Sequence, residues 1–368
     1  MNFDFSEEQK MLQKAARDFL EERCSLVKVR EVFESDAPYA KDVWEGAAEM
    51  GWLGTAIPET YGGAGYGYLE LAAIAEEIGR ALAPIPLSST TYLVSEALQQ
   101  AGDAAQRKRW LPELAAGRAI GALALAERPG QHGANSVETE FRQGRVYGAK
   151  QPVIDGDVAR LGLVVAREGG ASSLVLVELD GAGVTRESLR SFDPSRSQAR
   201  IRFDGAWGER LGDAGAGSEL LAKIYDRAAV LFAFEQLGGA QRCLDIAHAF
   251  AMGRYAFGRP IASFQAIKHK LADMYVAVQL ARSNCYFGAW ALSTNSDELP
   301  AAACLARISA TEAFEHCSRE NLQIHGGVGF TWEYDCHLFL RRSKLLAVTL
   351  GAAADWKHRL VSELESRS

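Results

Sequence analysis

The sequence predicts an α+β multidomain protein. An N-terminal α-helical domain is expected over residues 1–118, a small central β-barrel or sandwich over 119–213, and a C-terminal four-helix bundle over 214–368. Three observations carry this. Apolar residues recur at helical spacing from residue 6 to about 117. The period falls to two from about 119 to 212. From 218 onward helical spacing returns in segments far longer than an ordinary globular helix.

The first helix starts at "SEEQKMLQKAARDFLEER", where Ser6 and Gln9 have capping-box spacing. Met11, Leu12, Ala15, Phe19 and Leu20 then follow at helical period. Further helices are expected at 41–50, 69–81, 88–101 and 104–116, with a Pro/Gly loop, "IPETYGGAGYG", at 57–67. The strand-like stretches are "GALALAE", "SVETEFRQGRVYGAK", "RLGLVVAR", "SSLVLVELD" and "QARIRFDG", each bounded by Gly, Asp or Pro. The "GAG" pieces at 181–183 and 215–217 read as turns. Four long helices, 218–256, 263–294, 300–324 and 334–363, with short connections suggest an up-down bundle.

Composition limits the function. A chain of 368 residues with 48% hydrophobic and 24% charged residues suits a globular protein of two or three domains. A net charge of −7 argues against a nucleic-acid partner. Six cysteines without a C-x-x-C pair read as reduced, mostly buried thiols of a cytoplasmic protein. The start, "MNFDFSEEQK", has no signal-peptide pattern, and no apolar stretch spans a bilayer. No G-x-G-x-x-G follows a strand, so a Rossmann site is not expected. No His/Cys/Asp set has metal-ligand spacing, and no Ser-His-acid arrangement stands out.

Two breaks between long helices carry chemistry. "RYAFGRPIASFQAIKHKLADM" (254–274) surrounds a Gly-Arg-Pro turn with a cation, an aromatic and an amide: Arg254, Phe257 and Gln265. "QIHGGVGFTWE" (323–333) places Gln323 before Gly326 and Gly327, whose freedom allows a tight turn and close approach of a ligand. Taken alone, the glycines also fit a helix C-cap, Arg254 a solvated side chain, and Phe257 a core residue.

With "IPETYGGAGYGYLELAAIAEEIGRAL" and "QIHGGVGFTWEYD", the R-x-x-F-G-x-P-I-x-x-F-Q block makes the whole chain resemble the FAD-dependent acyl-CoA dehydrogenase family. The resemblance implies removal of an α-proton and a β-hydride from an acyl-CoA thioester, giving the 2-enoyl-CoA, with the hydride passing to flavin. It implies a tetramer and electron-transferring flavoprotein as acceptor. Each FAD then lies between two subunits, and the lending subunit supplies the diphosphate and adenosine contacts. Here those would come from Arg254 at the pyrophosphate, Phe257 and Gln265, with Gln323, Gly326 and Gly327 forming the close-approach loop. A planar guanidinium suits a diphosphate better than an ammonium does.

The rest of the family pattern is altered. The usual base, a Glu before a Gly in the last bundle region, aligns with Leu350 before Gly351. The alternative base position on the first long bundle helix aligns with Ala228. The family's T-E-P-G threonine aligns with Ala126, and its K-x-W-I-T tryptophan and threonine align with Pro152 and Ile154. The G-T after the base is Gly351-Ala352. No catalytic residue is therefore assigned. The expected role is the FAD-adenosine-gripping subunit of a heterotetramer whose related partner chain brings the base, by analogy with bacterial members acting on steroid-derived or cyclic acyl groups. Two alternatives stand: a homotetramer with a relocated base, Glu235 being the candidate, and a non-enzymatic acyl-CoA-binding scaffold. Against the former, an interior Glu usually has a structural partner, and Asp226 lies two residues from Ala228, on another face. His269 and His325 sit near the cofactor strip, either as phosphate donors or in structural hydrogen bonds.

Overall fold

The computed structural model describes residues 5–128, 130–131 and 133–366, with Asn135 described by its backbone alone. Contacts divide the chain into two compact units. One is Met1–Arg30, Tyr68–Ala83 and Ala229–Ser368; the other is Glu31–Gly67 and Pro84–Ala228.

The first unit is helical. It contains α1 (Glu7–Arg23), most of α2 (Leu26–Glu34) up to Arg30, and, after an excursion, α4 (Tyr68–Ala81). The Ser6–Gln9 capping box forms as the sequence predicts, satisfying orphan amides at the start of α1. Three polar contacts fix α1 on α4: Gln9 to Glu70, Gln13 to Glu76, and a bidentate pair from Arg17 to Glu77 at 2.9 and 2.7 Å.

The long bundle helices are α7 (Gly217–Gly253), α8 (Gln265–Ser293) and α9 (Leu299–His325). The division between units falls inside α7, after Ala228. Small residues set the spacing. A Cβ on Gly79 of α4 would lie 1.7 Å from the Glu235 carbonyl oxygen, and one on Gly238 1.8 Å from that of Glu76. The Phe314 ring of α9 covers Gly239 in the same way. The buried alanines of α9, at 301–303, 306, 310 and 313, let its neighbours approach closely.

The expected fourth helix over 334–363 is a correction. It is two helices, α10 (Cys336–Val348) and α11 (Ala353–Glu365), both packed on α9. Between them Leu350 and Gly351 take φ of 64° and 103°, which no right-handed helix contains.

The second unit holds α3 (Lys41–Glu49), the loop containing residues 57–67, α5 (Glu96–Ala101), α6 (Ala104–Ala115) and a barrel. Residues Ser88–Ser95, expected as α-helix, form a buried π-helical segment running into α5. The strands are β1 (Gly121–Ala124), β2 (Glu140–Arg142), β3 (Arg145–Ile154), β4 (Leu161–Glu168), β5 (Ala171–Glu178), β6 (Val184–Leu189) and β7 (Gln198–Leu211). Pairing β4–β5–β7–β3–β2–β4 closes a ring, with β1 parallel to β4 on one side and β6 antiparallel to β7 on the other. Leu161–Ala166 of β4 are all buried, which explains an unbroken apolar run rather than an alternation. The π segment covers β1, where the Gly121 N–H donates to Thr90 Oγ1 at 3.1 Å.

Among the described residues no helix is long and apolar enough to cross a membrane. All six cysteines are buried, and none is in a disulfide.

Candidate functional site

The break after α7 is a short hairpin. β8 (Tyr255–Ala256) pairs with β9 (Arg259–Pro260) around Phe257 and Gly258, both at positive φ (52° and 76°), the type I′ pattern. Glycine adopts such angles freely; a phenylalanine does so at a cost of about 1–2 kcal/mol. Phe257 is also 96% exposed. The strained backbone holds the ring on the surface, edge-on to Phe264 with centroids 6.2 Å apart.

The other groups share this exposure. Arg254 follows the last turn of α7, its N–H donating to the Phe250 carbonyl at 2.8 Å. Its guanidinium is exposed and forms no ion pair among the described residues. Gln265 opens α8 and Gln323 lies in the last turn of α9, both exposed. The Gly326 N–H donates to the Gln323 carbonyl, and Gly326 turns the chain at φ 63°. Nothing lies within 4 Å of where a Cβ on Gly326 or Gly327 would be, so both face open space.

His325 joins the two breaks. Its ring stacks on Phe250 with centroids 4.0 Å apart and 24° between planes. Thus the turn bearing Arg254 and the loop bearing Gly326–Gly327 come from helix ends in mutual contact. The His325 Nδ1–H donates to the Asn321 carbonyl at 2.8 Å, the structural hydrogen bond that competed with a phosphate-donor role. Burial lowers its pKa, opposed by that carbonyl. His269 lies on exposed α8 surface.

Sequence reasoning missed part of this surface. Met252, Tyr255, Phe330 and Trp332 are exposed apolar residues in the same two breaks. Tyr275, Val276 and Leu280 form an exposed apolar patch on α8. Helical periodicity assigns such residues to a core, so no local signal marks them as surface.

Glu235 sits on α7, 1% exposed, with Oε1 3.9 Å from Arg342 Nη1, itself 1% exposed. The carboxylate faces a buried cation at ion-pair distance, a polar pairing that a proton-accepting role would have to break. Leu350 occupies the break between α10 and α11 and is buried. Ala228 is fully buried.

In the second unit Ala126, Pro152 and Ile154 offer no side-chain donor for a flavin. Beside them a polar pair persists. Lys150, fully buried, donates to the Leu125 carbonyl at 3.0 Å and to Glu127 Oε1 at 2.8 Å. Glu127 also accepts the N–H groups of Glu138 and Thr139, both at 2.7 Å. Desolvation opposes charge on Glu127, but these hydrogen bonds prevail and hold its pKa down at about 2.

An open glycine turn, an unpaired guanidinium, two exposed amides and a bare aromatic fit the adenosine–diphosphate half of a dinucleotide such as FAD. Ala126, Pro152 and Ile154, where the resemblance implies flavin contacts, offer no such set.

Residues 6–118 match the acyl-CoA dehydrogenase N-terminal domain and residues 215–354 the acyl-CoA dehydrogenase C-terminal domain. The chain is 33% identical over 360 residues to the acyl-CoA dehydrogenase IpdE2 of Mycobacterium tuberculosis, covering 97% of this chain and 98% of that protein. Among solved structures it resembles the ChsE4-ChsE5 complex from Mycobacterium tuberculosis (TM-score 0.90, 26% identity, 99% of each chain). It also resembles a Tcur3481-Tcur3483 steroid acyl-CoA dehydrogenase variant (TM-score 0.87, 29% identity, 98% of each chain). The chain belongs to the acyl-CoA dehydrogenase family, whose members are FAD-dependent flavoprotein oxidoreductases.

Proposed function

We propose that this chain is the FAD-adenosine-gripping subunit of a heteromeric acyl-CoA dehydrogenase, and that a related partner chain contributes the flavin pocket and the base. One contrast carries the reading. The groups that grip the diphosphate tail are present and displayed, whereas the positions for base and flavin contacts hold Leu350, Ala228, Ala126, Pro152 and Ile154. Random decay of a homotetramer gives no reason for one half-site to be spared.

In this reading Arg254 neutralises the pyrophosphate, Phe257 packs on the cofactor, and Gln265 and Gln323 donate hydrogen bonds. Gly326 and Gly327 allow the backbone to approach. FAD supplies the hydride acceptor when bound. A base contributed by the partner chain would take the α-proton of the acyl-CoA as the β-hydride passed to that acceptor, giving the 2-enoyl-CoA. The exposed patch of Tyr275, Val276 and Leu280 is the surface that the neighbouring chain covers. A steroid-derived acyl group is suggested by analogy with the steroid acyl-CoA dehydrogenase named above. Electron-transferring flavoprotein is the proposed acceptor, and six thiols outside any disulfide favour a cytoplasmic setting. The domain limits 1–118, 119–213 and 214–368 are proposed as the functional divisions.

The second reading, a homotetramer using Glu235, is disfavoured by the Arg342 beside that carboxylate. Co-expression with the related chain tests the proposal: a yellow complex is expected, from a subunit that is pale when purified alone. A Glu235→Gln chain that binds FAD but loses flavin reduction would restore the second reading.

A further inference from the structure

The diphosphate-gripping groups stand on two different turns, so their spacing depends on what joins those turns. Arg254 is tied by its own N–H to the Phe250 carbonyl. His325 immediately precedes Gly326 in the chain. The stack of His325 on Phe250 therefore links Arg254 to Gly326 through one side-chain contact. Tyr334, at the far end of the glycine loop, closes edge-on against both rings, at 6.2 Å from Phe250 and 5.7 Å from His325. The imidazole cannot turn freely, because its Nδ1–H is held by Asn321 one helical turn earlier.

We propose that His325 is a positioning residue: its stack on Phe250 sets the distance between the Arg254 guanidinium and the Gly326–Gly327 amides so that both reach one diphosphate. The inference rests on the half-site reading given above. His325 need not touch the ligand. It is buried, and its role is exercised through the ring face, which phenylalanine can supply and alanine cannot.

The test uses the full chain with three variants, His325→Ala, His325→Phe and Phe250→Ala, and the double alanine variant. ADP is titrated by calorimetry, and amide hydrogen exchange at residues 326–330 is measured without ligand. His325→Ala should weaken ADP binding about tenfold, as loss of an aromatic pair implies, and should speed exchange in the loop. His325→Phe should stay near the unmodified chain in both readouts. The double alanine variant should bind ADP no worse than either single variant, because both remove the same contact. A His325→Ala chain that binds ADP normally with an unchanged loop, or a His325→Phe chain as impaired as the alanine variant, would overturn the proposal. If the unmodified chain fails to bind ADP, the half-site reading falls and the clamp's role toward a diphosphate falls with it, even where the exchange pattern shows that His325 steadies the loop.

Discussion

Arg307 donates from one guanidinium nitrogen to the carbonyl oxygens of both Leu346 and Thr349, gripping the last turn of α10 where the helix breaks. Its other terminal nitrogen donates to Gln236 Oε1 at 2.6 Å. Trp356 Nε1 donates to the Leu350 carbonyl at 3.2 Å, and Thr349 Oγ1 to that of Leu345 at 2.9 Å. A broken helix frees carbonyls that a buried site must satisfy, and here Arg307 of α9, Trp356 of α11 and Thr349 between the helices satisfy them. The turn around Leu350 is thus firmly built.

Arg307→Leu should therefore destabilise the protein, by about 1–3 kcal/mol for each buried acceptor left without its donor. Arg307→Lys should recover only part, since an ammonium cannot reproduce the planar fork. Urea denaturation followed by circular dichroism measures both. A change below about 1 kcal/mol for the leucine variant would mean that solvent or rearrangement satisfies those carbonyls.

Phe257→Gly should separate stability from function. The ring is 96% exposed at φ 52°. Glycine relieves about 1 kcal/mol of backbone strain, partly offset by the added freedom of the unfolded chain. The isolated chain should be no less stable in a thermal melt. The complex should lose FAD on dilution far more readily. A marked drop in the isolated chain's melting temperature, with FAD retained in the complex, would place Phe257 in the fold rather than the site.

Gly79→Ala and Gly238→Ala should each disrupt the helical unit, because the added methyl meets backbone oxygen rather than a movable side chain. A cost of about 1–3 kcal/mol or more follows from overpacking. Gly327→Ala, where the space is open, should leave the fold unchanged and act only on ligand binding. Parallel denaturation of the three variants makes the comparison.

Glu127 has a pH signature. Its pKa is about 2 in the folded chain, below the ordinary 4.5. A carboxyl depressed by folding binds fewer protons in the native state, so its contribution is complete above about 4.5 and fades as pH falls towards about 2. Glu127→Gln should lower the melting temperature at pH 7 and flatten the fall of stability over that acid window. If the two proteins show parallel acid profiles, the Lys150 and backbone contacts do not hold the carboxylate as described.

Much of the fold was legible because local rules and tertiary packing agree. The capping box at Ser6–Gln9 formed, as did the period-two strands and the long helices. β6 escaped notice because "VTRESL" lies against β7 with little burial, leaving no apolar alternation to read. The break at Thr349–Ala352 was hidden by good helix formers on both sides; Arg307 and Trp356, distant or downstream in sequence, stabilise it. At the site, residue types pointed to Arg254, Phe257, Gln265 and the glycines. The partnership of Phe250 with His325 was invisible, since 75 residues separate positions that meet only after the bundle packs.

The most direct test of the divided cofactor site is flavin stoichiometry. The isolated chain and its complex with a related partner should be purified, and absorbance at the flavin bands compared with protein concentration. One FAD per pair of unlike chains is expected, with bleaching on addition of a suitable acyl-CoA, while the isolated chain stays colourless. A flavin-loaded homotetramer of this chain that bleaches with acyl-CoA would contradict the account.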